Sequence, residues 1–235
     1  MLFPLLPHHW RQRLKRRLLV VRDMTTRLQN LRRAGFVCTG AIDGGAYLGN
    51  WSLEFSKVFG EVAILLVEPQ PASQAILTSL IQRHAAWQVA AVALSDRSGE
   101  SLFRLGESNS GLVPSPQEDP VTIAVPCSTL EQLLKERAAF EPNLLKLDLQ
   151  GHELQALRGA GTELPRFEVI ITEISMLRIG DVPIFHEVDN FMEAQGYRLY
   201  DLLPQYDRPL DGALWQIDAF YVRLDSALIA SRAWD

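Results

Sequence analysis

Apolar residues along this chain collect into short unbroken runs separated by segments of mixed polarity. The runs at 37–43, 62–68, 89–94, 144–148 and 168–173 have the length and bounding turn residues of buried strands. Between them, 51–59, 71–83, 129–137, 151–158 and 187–195 read as helices, the last closed by Gly196. Strands alternating with helices predict an α/β fold, a mostly parallel sheet with helices on both faces. Strands at 197–203 and 215–223, joined by a loop at 204–212, predict a C-terminal antiparallel hairpin. The middle is less regular: short strands at 101–105 and 121–125 flank a segment at 106–120 rich in Gly, Ser, Pro and acids. That segment is either a lid over a substrate or a long surface loop.

Leu14, Leu18, Val21, Leu28 and Leu31 recur at helical spacings between Trp10 and Arg33, predicting an amphipathic helix stopped near Gly35. Charge sets this part apart. The first 33 residues hold nine Lys or Arg against Asp23 alone, a net +8, so the rest of the chain carries −13 of the overall −5. The expected organisation is a basic helical arm over 1–34 and one α/β domain over 35–235. The arm either packs as a solvated helix on its acidic body or touches an anionic membrane surface.

A hydrophobic content of 47% is enough for a sizeable core. Cys38 and Cys127 stand far apart without a CxxC pair, which argues against a zinc site and a disulfide framework. The opening seven residues are too short and too broken by proline for a secretory leader, and no long uncharged apolar run follows. A cytoplasmic protein is expected, with peripheral membrane contact left open through the arm.

Two apolar runs end in an acid. Asp43 leads into Gly44, Gly45, Ala46, Tyr47, Leu48 and Gly49, and Glu68 follows 25 residues later with Pro69 behind it. In nucleotide-binding α/β folds a glycine turn lets backbone approach the ligand, and a distal acid accepts ribose hydroxyls. These residues, together with Leu145-Lys146-Leu147-Asp148-Leu149-Gln150-Gly151-His152-Glu153 through Ala160, resemble the FkbM family of S-adenosylmethionine-dependent methyltransferases. Segments 93–96 and 171–173 and the terminal hairpin extend the resemblance over roughly residues 35 to 224.

The resemblance implies a Rossmann-like class I methyltransferase sheet, S-adenosylmethionine as cofactor, and O-methylation of a hydroxyl on a sugar, glycolipid, polysaccharide or natural product. It places the cofactor at Asp43, Gly44, Gly45, Ala46, Tyr47, Gly49, Glu68, Pro69, Ser95 and Asp96. Chemistry falls to Asp148, with His152, Glu153 and Glu173 as further candidates, because transfer to oxygen needs a group that takes the hydroxyl proton. Glu153 could instead serve its helix dipole, and Lys146, on the same strand face as Asp148, could be a buried ion-pair partner.

Tyr47 stands where the family usually has asparagine, and Gly44 replaces a β-branched residue. Left-handed backbone suits tyrosine poorly, so either Gly44 absorbs the strain or cofactor binding is weakened. A weakened loop would make the chain a non-catalytic scaffold. A divalent metal among the acids is a less favoured reading. A nicotinamide enzyme lacks its G-x-G-x-x-G here, and a nucleic-acid enzyme would not carry so acidic a body.

Overall fold

The computed structural model describes residues 23–106, 110–113 and 121–230. Helix α1 (Met24–Arg33) precedes the strands β1 (Gly40–Gly44), β2 (Ala63–Val67) and β3 (Trp87–Ala90), which are separated by α2 (Asn50–Phe59) and α3 (Pro71–Ile81). Four short strands follow: β4 (Ala93–Leu94), β5 (Gly99–Arg104), β6 (Gly111–Leu112) and β7 (Thr122–Ser128). The chain then runs through α4 (Leu130–Lys135), β8 (Leu144–Leu147), α5 (Glu153–Arg158), β9 (Val169–Ser175), α6 (Phe185–Ala194), β10 (Tyr197–Asp207) and β11 (Leu214–Arg223).

Seven strands form the main sheet in the order β10-β11-β9-β8-β1-β2-β3. Every adjacent pair is parallel except the two that β11 makes, with β9 and β10. The buried runs are continuous because both faces of the sheet are covered. Ile42, Leu65, Leu145 and Leu147 point to the face packed by α4, α5 and α6. Their sequence neighbours Ala41, Ile64, Leu66 and Leu144 point to the face packed by α1, α2 and α3.

The predicted α/β fold with a terminal hairpin is present, with three differences. The run at 89–94 is divided between two sheets. Its first part belongs to β3 beside β2, whereas Ala93 and Leu94 leave that edge and pair with Cys127 and Ser128. They join a second sheet, β4-β7-β5-β6, which the sequence did not announce. β1 begins at Gly40 and not at 37, because the Asn143 side chain takes the hydrogen-bonding groups that a longer strand would use: its carbonyl accepts from the Thr39 N–H at 2.9 Å and its amide donates to the Val37 carbonyl at 2.8 Å. The hairpin is longer than expected, and Pro204 lies inside β10. The register shifts beside it, between Pro204 and Tyr206, which is where a strand tolerates a residue without an N–H.

The N-terminal helix begins at Met24 among the described residues, and the predicted stretch 10–22 lies outside them. Asp23 caps it by accepting the Thr26 N–H at 2.7 Å, and Gly35, at φ +103°, turns the chain after its end. Leu28 and Leu31 are fully inside, and Arg27 reaches Asp201 at 2.7 Å. This part of the basic arm therefore packs on the acidic body. Among the described residues no helix is long and apolar enough to cross a membrane.

The Tyr197 hydroxyl locks the start of β10 to the segment before β9, lying 2.6 Å from the Leu164 carbonyl and 2.7 Å from that of Phe167. Tyr197→Phe leaves two buried carbonyls without this donor. It should lower stability by about 1–2 kcal/mol, seen in urea unfolding as a lower midpoint with an unchanged slope.

Candidate active site

Acidic residues gather where the parallel strands end. Asp43 closes β1, Glu68 follows β2, Asp148 follows β8, and Glu173 on β9 faces Asp218 on β11. Open α/β sheets collect ligands at this carboxyl edge. One cation lies among these groups. Lys146, on β8, is buried with its Nζ 3.4 Å from Asp43 Oδ1 and 3.4 Å from Asp148 Oδ2. Burial alone would lower its pKa, yet Asp148, Asp43 and Asp218 together raise it above the ordinary lysine value. The ammonium fills the middle of the cluster, and among the described residues no group of three or more His, Cys, Asp or Glu is arranged to hold a metal.

The turn after β1 is drawn tightly against β8. Gly45 has φ +77°, and a Cβ there would lie 1.9 Å from the Asp148 carbonyl oxygen, so only glycine fits. Gly49, at φ +76°, serves packing instead, since a Cβ would meet the Leu80 side chain at 2.5 Å. Tyr47 itself adopts left-handed backbone at φ +46°. Gly44 therefore does not absorb the strain; it makes room for the side chains of Leu147 and Leu94. The Tyr47 N–H donates to Glu68 Oε2 at 2.9 Å, and the Gln70 N–H donates to Oε1 at 2.8 Å. Glu68 is thus held by one backbone donor on each oxygen, and burial still raises its pKa.

Glu68 opens into a cavity of about 740 Å³, counting its mouth. Gly45, Tyr47, Pro69 and Gln70 line it beside the acid; Val92, Leu94, Phe103 and Leu112 form an apolar slot; Asp148, Gln150 and His152 form the far wall. A second cavity of about 1,310 Å³, measured the same way, meets the first at Asp148 and Gln150. Its walls include Glu173, Glu153, Arg104, Tyr206 and Trp215.

The structure brings most of the expected residues together, though several stand behind the cavity wall. Asp43 is fully buried, accepts the Ser52 hydroxyl at 2.7 Å and faces Lys146, so it holds the loop from within. Gly44, Ala46 and Gly49 do not line the first cavity, and neither do Ser95 and Asp96. Ser95 lies 2.9 Å from His152 Nε2 and donates to Asp96 at 3.2 Å, so it braces the histidine. Burial lowers the His152 pKa. Glu153 ties the turn between β8 and α5, accepting from the Leu149 N–H at 2.6 Å and the Gly151 N–H at 3.1 Å. Burial pushes its pKa up to about 7. Asp148 accepts from Lys146 and, at 2.8 Å, from the Gln150 amide.

Several participants had no advance signal. Gln150 joins the acids through side-chain hydrogen bonds, and Asp218 through the pairing of β11 with β9. The wall formed by Gly111 and Leu112 comes from the second sheet. Of the segment at 106–120, read as a lid or a long surface loop, residues 107–109 and 114–120 lie outside the described residues.

A family model described as "Methyltransferase FkbM domain" matches residues 43–199. No curated protein matches. Among solved structures, a candidate rRNA methylase from Clostridium thermocellum aligns at TM-score 0.51 and 10% identity, covering 88% of this chain and 99% of its own. The N-methyltransferase NodS from Bradyrhizobium japonicum aligns at TM-score 0.50 and 8% identity, covering 85% and 93%. A Burkholderia thailandensis 1,6-didemethyltoxoflavin-N1-methyltransferase, crystallised with S-adenosylhomocysteine, aligns at 0.47 and 12%, covering 94% and 91%. At these identities the likeness is one of fold.

Burial, followed by Asp148, Glu153 and Asp218 as like-charged neighbours, pushes the Glu173 pKa up to about 9 from 4.5. A raised carboxyl pKa means that the folded protein keeps a proton which the unfolded chain releases. Its stabilising contribution is complete below about pH 4.5 and is lost as pH rises through about 9. Glu173→Gln, a permanent mimic of the protonated acid, should match wild type in thermal melts near pH 5 and exceed it near pH 9, to an extent of roughly a few degrees.

Proposed function

The chain belongs to the FkbM methyltransferase family and is an S-adenosylmethionine-dependent methyltransferase; from that premise we propose that it methylates a hydroxyl oxygen on a sugar, glycolipid, polysaccharide or natural product. The observation that carries this reading is the meeting of two cavities at Asp148, one ending in Glu68 and the other walled by Tyr206, Trp215 and Glu173.

The donor set of the first cavity fits the cofactor. Each Glu68 oxygen, held by one N–H, keeps a lone pair for one of two vicinal ribose hydroxyls. The apolar slot of Val92, Leu94, Phe103 and Leu112 suits a flat purine. When bound, S-adenosylmethionine supplies an electrophilic methyl group. The residues around it provide orientation and a place for the proton. Asp148 accepts the proton of the acceptor hydroxyl as that oxygen forms its bond to carbon, and Lys146 stabilises the ionised carboxylate beforehand. Tyr206 and Trp215 offer ring surfaces against which a pyranose or an aromatic nucleus can lie. His152, braced by Ser95 in the wall of the cofactor cavity, orders that wall.

We assign the methyltransferase domain to residues 35–235 and the basic arm to 1–34, in a cytoplasmic protein whose arm can add contact with an anionic surface. The rival reading, a scaffold with a degenerate loop, draws its support from Tyr47. Against it, the left-handed turn at Tyr47 is what aims its N–H at Glu68.

Calorimetric titration with S-adenosylmethionine and S-adenosylhomocysteine tests the cofactor assignment directly. Wild type should bind both saturably, and Glu68→Ala should weaken binding roughly 10- to 100-fold through loss of two charge-assisted hydrogen bonds. No binding by folded wild type would put the scaffold reading in its place. In a screen of glycan and lipid-linked acceptors with methyl-labelled cofactor, Asp148→Asn should keep cofactor affinity while turnover falls about 10²- to 10⁴-fold. Wild-type turnover in that variant would remove Asp148 as the base.

A further inference from the structure

Resting on the assignment of Asp148 as base, we propose that Gln150 is the residue that positions it, with one amide group bridging Asp148 and Glu173 across the junction of the two cavities. The Gln150 Nε2 donates to Asp148 Oδ1 at 2.8 Å and to Glu173 Oε2 at 3.2 Å. A primary amide has two N–H donors, one for each carboxyl.

Asp148 needs such a partner. Its side chain is 37% exposed, and its other contact, Lys146 at 3.4 Å, is shared with Asp43. An acid so exposed and so loosely paired would sample several rotamers. The amide fixes one of them, facing the place where a methyl donor and an acceptor would meet.

Backbone geometry supports a purpose for this side chain. Gln150 has φ +55°, and apart from Tyr47 it is the one non-glycine residue with positive φ among the described residues. Glycine would adopt that conformation without strain, yet the chain carries a long polar residue there. Strain of this kind gathers at functional sites and persists where the surroundings enforce it. Here the surroundings are visible: a Cβ on Gly111 would lie 3.4 Å from Gln150 Cβ, so β6 packs directly against this turn.

Neutrality matters as much as reach. The groups facing the bridge are Lys146 on β8, Glu173 on β9, Asp218 on β11 and Glu153 at the start of α5, with Arg104 of β5 on the cavity wall and Asp43 of β1 behind Lys146. In that acidic setting an uncharged donor separates Asp148 from Glu173, where a further carboxylate would repel both.

Carboxyl-carbon NMR titration of the full chain reads this contact without any acceptor. In Gln150→Gly, which relaxes the backbone and removes the amide, the Asp148 carboxyl-carbon resonance should shift, and the Glu173 midpoint should rise by roughly 0.5 to 1 pH unit because a hydrogen bond favouring its ionised form is gone. In Gln150→Glu, which keeps the side-chain shape, it should rise further. Gln150→Gly should melt no lower than wild type, since glycine is at ease at that φ. An unchanged Asp148 resonance together with an unchanged Glu173 midpoint in folded Gln150→Gly would overturn the bridge. Failure of the base assignment would show separately, as retained turnover in Asp148→Asn.

Discussion

Lys146 carries its charge inside the protein, 3.4 Å from Asp43 and from Asp148, with Asp218 also acting on it. Removing an ammonium and a carboxylate from water is expensive, and such a pair returns that expense only when further contacts complete it. Asp43 gains one such contact, its other oxygen accepting the Ser52 hydroxyl from α2. The result ties β1, β8 and α2 at the edge where the cavities open. Without this cation the strand-end acids would repel one another, and neither the glycine turn nor Asp148 would keep its place.

The tightness of that edge also explains the glycine turn. Gly45 lies so near the Asp148 carbonyl that no side chain could be inserted, and Tyr47 spends backbone strain to direct its N–H at Glu68. Glu68 and Asp148, the two acids that border the first cavity, are thereby held by neighbouring parts of one loop system. Glu173 completes it from β9 as a carboxyl that burial keeps protonated at neutral pH, able to share a site with Asp148 without a second negative charge.

Much of this was legible in the chain. Continuous apolar runs ending in Asp43, Glu68 and Asp148 marked buried parallel strands and the ligand edge, because period and termination are local properties. The second sheet was not legible. β4 and β6 are two residues long, and what makes them strands is pairing with β7 and β5, not any pattern of their own. Gln150 lay inside the most distinctive segment of the sequence and still gave no sign, since its role depends on a left-handed turn and on Glu173, 23 residues away. Asp43 was readable as an acid at a strand end, but only packing reveals that it faces inward to Lys146 and away from the cavity.

The small strand β6 has a consequence of its own. It walls the first cavity through Gly111 and Leu112, packs its backbone against Leu149 and Gln150, and is tied to the Glu68 side by the Ser110 hydroxyl, which donates to the Gln70 side chain at 3.2 Å. Whatever displaces this strand loosens both ends of the cavity at once. The turn that carries Gln150 and the one that carries Gln70 are then mechanically coupled through a strand only two residues long.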